Sequence, residues 1–260
     1  MEVINQLCKI FSVLFLSIYF NNIANAGMTV QTIPGDIAEC TQSCMYEVYP
    51  YAILSEAAYE GIDLPSYEDW YRIDPIYVDR SGFRAVLYEN QIKNELVISF
   101  AGSDEFTDYI DDVAQFFGRY AEQYEQGVQL AMAHIIQQAR NDNYSVTLIG
   151  HSLGGGIAQF VASILGLKAY TFNPAPVNMD IYTDVSIITD TLGIDDSNIL
   201  NVITYDEKGK YDIVPRIPGI LLGTTKFLIV QVHDLLDGTP GFFERHAIKT
   251  IIDILAEQIN

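Results

Sequence analysis

Positive charge is scarce in this sequence. Lys and Arg number 14 against 34 Asp and Glu, a formal net charge of −20 over 260 residues. A surface of that sign repels phosphate backbones, which excludes nucleic acid as a partner and disfavours electrostatic docking on anionic membrane faces. Apolar contact with lipid stays open. Cysteine is scarce too, with three in the chain, so a disulfide-dense scaffold is excluded. No apolar run reaches the roughly 20 residues that a bilayer-spanning helix needs. Internal repeats and low-complexity linkers are also lacking. What is present is a globular mixture, 49% hydrophobic and 18% charged. A chain of this length can bury a large core without metals or many disulfides.

The N-terminus reads as a targeting segment. Residues 10–20, IFSVLFLSIYF, are apolar, and NNIANAG follows with the small residues Ala24 and Ala26. This pattern predicts a signal peptide over residues 1–26, cleaved after Ala26, although Lys9 is offset by Glu2 in a weak leading region. Residues 27–260 would then form a single secreted or periplasmic domain. Cys8 would leave with the signal, while Cys40 and Cys44 remain in CTQSC. An even pair in an oxidising compartment predicts a Cys40–Cys44 disulfide. The spacing sits uneasily inside a regular helix, so a turn or helix end is expected there. With no further Cys or His nearby, the pair makes a poor zinc site.

Beyond that point, strand and helix patterns alternate. Residues 83–89 and 95–100 read as two strands with a turn between them. Helical spacing covers 48–60 and 121–140, the latter with Val128, Ala131, Met132, Ile135 and Ile136 on one stripe. Residues 145–150 are strand-like, 154–166 form an apolar helix ending at a glycine, and 167–172 and 199–205 are strands again. A terminal helix is expected over 242–259. The alternation predicts an α/β fold with a mainly parallel central sheet and helices on both faces. Residues 178–198, rich in Asp, Thr and Asn, read as a surface excursion.

The chemistry concentrates in Gly150-His151-Ser152-Leu153-Gly154. Five residues with three fixed recur by chance, but here an apolar strand precedes them and an apolar helix follows. A strand–turn–helix is the setting of a nucleophile elbow, which exposes a serine Oγ and points helix amides at a developing oxyanion. A serine hydroxyl needs a base and an orienting acid. Of four histidines, His134 falls within an amphipathic helix, and His151 diverges from Ser152 in so tight a turn. His246, where a loop meets the terminal helix, is the first candidate base, and His233, after the apolar FLIVQV, is the alternative. Asp212, in the proline-braced YDIVPRIPG, is the first candidate acid, and Asp206 competes with it.

GHSLGGGIAQFVA followed by YTFNPAPVN resembles the class 3 (fungal-type) lipases and their bacterial phospholipase-like relatives. Asp212-Ile213-Val214-Pro215-Arg216 is similar to their Asp-x-Val-Pro-Arg segment, and YAILSEAAY at 51–59 to their N-terminal helix. Phe100-Ala101-Gly102-Ser103 matches their first oxyanion segment, with Ala101 in place of the family's Arg. The resemblance, over roughly 48–250, implies an α/β-hydrolase fold and a triad of Ser152, Asp212 and His246 without cofactor or metal. It also implies an oxyanion hole from the amides of Ser103 and Leu153.

The implied substrate is a lipid carboxylic ester, with phospholipase A or lysophospholipase activity ahead of triglyceride lipase or acyltransferase. A non-catalytic hydrolase-like binding protein is the remaining alternative. Phe106, Tyr109, Phe116 and Phe117 fall where the family has its lid region, so interfacial membrane contact is open. The acidic cluster from Asp104 to Asp112 matches no calcium loop.

Overall fold

A computed structural model describes residues 38–59, 62–102, 113–138, 144–177, 196–206, 221–230 and 247–259. Its frame is one eight-stranded sheet whose strands lie side by side in chain order. These are β1 (Ser66–Tyr67), β2 (Trp70–Val78), β3 (Arg84–Asn90), β4 (Glu95–Phe100), β5 (Ser145–His151), β6 (Lys168–Phe172), β7 (Ile199–Asp206) and β8 (Thr224–Val230). The first four pair antiparallel. From β4 to β8 every pairing is parallel. The mainly parallel sheet expected from the alternating pattern is therefore present, with an antiparallel flank.

Side-chain alternation along these strands builds two cores. Ala85, Leu87, Leu96, Ile98, Phe100, Leu148 and Ala169 point to one face. Helices α2 (Val113–Gln138) and α3 (Leu153–Leu165) cover that face with residues such as Ala131, Ile157 and Val161. Val86, Tyr88, Val97, Ile149, Tyr170 and Phe172 point to the other face, under α1 (Gln42–Glu56) and α4 (Ile248–Ile259). The crossovers β4–α2–β5 and β5–α3–β6 thus put successive helices on one side of the sheet, as a constant crossover hand requires. Each fully buried Leu, Ile or Phe contributes about 1.5–3 kcal/mol relative to exposure.

Helix α1 starts at Gln42, earlier than its sequence pattern suggests, and continues through Pro50. Thr41 caps it, its Oγ1 accepting from the Cys44 amide at 3.4 Å. Cys40 and Cys44 are joined, with Cα atoms 5.4 Å apart, so the disulfide closes across the helix entry, at the kind of helix end expected for it. Helix α2 likewise starts earlier than expected, at Val113.

Strand β2 has no counterpart in the sequence reading. Arg72, Asp74 and Pro75 break its alternation, and the ladder to β3 shifts register between Ile73 and Tyr77, around the proline. Among the described residues no helix is long and apolar enough to cross a membrane, and no cluster of three or more His, Cys, Asp or Glu is placed to hold a metal.

Candidate active site

The parallel strands β4, β5 and β6 end at one edge of the sheet, and Ser152 stands there between β5 and α3. Its backbone adopts φ 57° and ψ −125°, a conformation that L-residues other than glycine rarely hold. Three hydrogen bonds pin it. The Ser152 amide donates to the Phe172 carbonyl at 3.1 Å, and the Ser152 carbonyl accepts from Gly156 at 3.1 Å and Ala175 at 2.8 Å. The side chain is 1% exposed, and its Oγ makes no hydrogen bond among the described residues. The strained turn therefore presents a hydroxyl that bonds to none of the described residues.

The turn closes only because its neighbours lack side chains. A Cβ on Gly154 would lie 2.1 Å from the Phe100 carbonyl oxygen and 2.7 Å from the Ala101 carbonyl carbon, both rigid backbone. Strand β4 therefore leaves the sheet in direct contact with the first turn of α3. At Gly102 a Cβ would meet the Tyr59 hydroxyl at 2.3 Å, the His151 carbonyl oxygen at 2.9 Å and Ser152 Cβ at 3.1 Å. The β4 exit thus packs on the elbow, one residue before Ser103. The Leu153 amide opens α3, whose N-terminus carries a partial positive charge.

His151 is buried and faces the turn that follows α1: the Tyr59 hydroxyl lies 2.5 Å from its Nδ1. The Tyr59 contact was not read from the sequence, although Tyr59 closes the YAILSEAAY segment that the resemblance singled out. His134 sits on α2, with Nε2 3.4 Å from the Tyr77 hydroxyl, and burial holds its pKa below the usual histidine value. At the end of β6, Asn173 has φ 41°. Its Oδ1 accepts from the Thr204 amide at 2.9 Å, tying the β6 exit to β7.

Asp206 terminates β7. Asp212, His233, His246 and Ser103 lie outside the described residues, as do the acidic and aromatic stretch 104–112 and most of the 178–198 excursion.

Solved structures with this arrangement are fungal lipases. The lipase of Rhizomucor miehei in its propeptide complex superposes with a TM-score of 0.54 at 19% identity, over 81% of this chain and 76% of that one. A nonglycosylated lipase of Yarrowia lipolytica gives a TM-score of 0.56 at 16% identity, over 75% and 83%. The fold is the α/β-hydrolase fold of lipases.

The sequence model of the phospholipase-like family, described as the Tle-like phospholipase domain, matches residues 51–209. The chain belongs to that family. It is also 38% identical over 108 residues to the extracellular phospholipase A1 of Serratia liquefaciens. That match takes in 41% of this chain and 32% of the relative, so it spans about a third of the relative's length.

Proposed function

We propose that the protein is an exported phospholipase A that works through a Ser152–His246–Asp212 triad and an acyl-enzyme. The observation that carries this reading is Ser152 itself, held at positive φ at the mouth of a parallel sheet, with its hydroxyl bonded to none of the described residues. The serine attacks the ester carbonyl carbon while His246 takes the Oγ proton. Asp212 orients the imidazole and stabilises its charge. The amides of Leu153 and Ser103 receive the oxyanion, and the Ser103 hydroxyl adds a third donor. The tetrahedral intermediate expels the lysophospholipid alcohol, which leaves with the proton from His246. Water, deprotonated by the same histidine, then releases the fatty acid and restores Ser152. No cofactor or metal enters the scheme.

Family membership supports the ester-hydrolase chemistry. The extracellular phospholipase A1 of Serratia supports both a phospholipid substrate and export. Export is further supported by the signal-like residues 1–26 and by the Cys40–Cys44 disulfide, and the mature enzyme would be the single domain 27–260.

The test is product identification. Mature protein incubated with mixed phospholipids, lysophospholipids and triglycerides should release free fatty acid and lysophospholipid, with triglyceride turned over more slowly. An alcohol-dependent transfer of the acyl group without free fatty acid would make it an acyltransferase. No turnover of any ester by folded protein would end the reading.

A further inference from the structure

Gln159 is chemically out of place. It sits mid-way along α3, the most apolar helix among the described residues, with 0% exposure. A buried amide is costly unless its donor and acceptor are both used. Here they are. Gln159 Oε1 accepts from the Leu222 amide at 2.8 Å. Its Nε2 donates to the Ala175 carbonyl at 3.2 Å and, more weakly, to the Gly155 carbonyl at 3.4 Å.

Leu222 is gripped on its other backbone group as well. Asn201 Nδ2 donates to the Leu222 carbonyl at 2.7 Å, and Asn201 Oδ1 accepts from the Thr171 hydroxyl at 2.6 Å. Thr171 and Asn201 are fully buried. The ladder between β7 and β8 begins only at Leu200 and Thr224, so it does not reach Leu222. Two side-chain amides supply the partners that a strand would have given.

Two parts of the sheet meet through this grip. Leu222 stands two residues before β8. Ala175, on the other side of Gln159, donates its own amide to the Ser152 carbonyl at 2.8 Å. An unbroken hydrogen-bonded path therefore runs from Leu222 through Gln159 and Ala175 to the backbone of the serine.

We propose that Gln159 is a positioning residue for the nucleophile Ser152. Together with Asn201 it ties Leu222, at the entry to β8, to Ala175, and through the Ala175 amide it holds the Ser152 elbow in place. The inference rests on the triad reading above. Its physical basis is that catalytic groups must be held to within about 0.5 Å, and a misplacement of about 1 Å can cost 100-fold in rate.

The test compares wild type with Gln159→Met, which is similar in length but has no amide. It reads kcat and KM per folded molecule, and the rate at which a fluorophosphonate labels Ser152. The expected result is a kcat lower by about 10- to 100-fold, KM within about twofold, and labelling slowed in step with kcat. Thr171→Val, which removes only the hydroxyl that orients Asn201, should give the same split at a smaller size. It carries the decision if Gln159→Met does not fold. A variant with lowered Tm but wild-type kcat per folded molecule would overturn the inference and reduce Gln159 to packing. A wild type that neither labels nor hydrolyses would instead refute the triad reading from which it starts.

Discussion

At the scale of single residues, Ser152 is held in a conformation that costs stability. A non-glycine residue in a sparsely populated region of φ and ψ carries roughly 1–3 kcal/mol of strain. The surrounding contacts must impose that conformation. Gly154 and Gly102 allow the approach, and the Ser152 carbonyl is tied to two amides. Replacing Ser152 by glycine should release the strain. Ser152→Gly is predicted to raise stability by about 1 kcal/mol, or roughly 2–4 °C in Tm for a domain of this size, while abolishing ester hydrolysis. Thermal unfolding of the two proteins side by side checks this. A lower Tm for Ser152→Gly would mean that the serine hydroxyl holds the fold together and is not kept free for chemistry.

Secondary elements show where the sequence was legible. Strands β3 to β7 and helix α3 are short apolar runs bounded by polar turns, so period and length identify them. The elbow follows, because a strand, a glycine-flanked serine and a helix stand in direct succession. Strand β2 escaped because Pro75 and its charged neighbours hide a ladder that simply shifts register there. The Gln159, Asn201 and Thr171 path escaped for a different reason. Each is a polar residue within a largely apolar element, and only the fold brings its partners together from distant parts of the chain.

Helix α1 begins at Gln42, ahead of the 48–60 range that its spacing suggested. A second polar tie holds that helix to the sheet. Glu47 accepts hydrogen bonds from the Tyr170 hydroxyl and from Lys168 on β6. The Tyr170 bond is the main cause that lowers the Glu47 pKa below its ordinary 4.5. A lowered folded pKa adds stability that is fully present above the unfolded value and is lost as the pH falls through the folded one. The Tm difference between wild type and Glu47→Gln should therefore be present above pH 4.5 and shrink in more acid solution. A difference that does not change across that range would remove the carboxylate from the tie.

For the whole molecule, the dominant quantity is the charge of −20, which the loss of Glu2 and Lys9 with residues 1–26 would leave unchanged. In the proposed phospholipase reading, a protein of that charge meets anionic membranes against a repulsive field. Hydrolysis of zwitterionic phosphatidylcholine vesicles should exceed that of vesicles containing phosphatidylglycerol when salt is low. The gap should narrow as the Debye length falls from about 30 Å at 0.01 M to about 8 Å at 0.15 M. Initial rates on the two vesicle types across that salt range give the answer, and a preference independent of salt would assign it to the binding site instead.

The central claim is that this fold exists to activate Ser152, and adduct mapping tests it most directly. Folded mature protein treated with a fluorophosphonate should carry one adduct, on the peptide containing Ser152. Protein unfolded beforehand should carry none, because an isolated serine hydroxyl is not a competent nucleophile. Absence of the adduct from folded protein, or its presence on a different serine, would contradict the account.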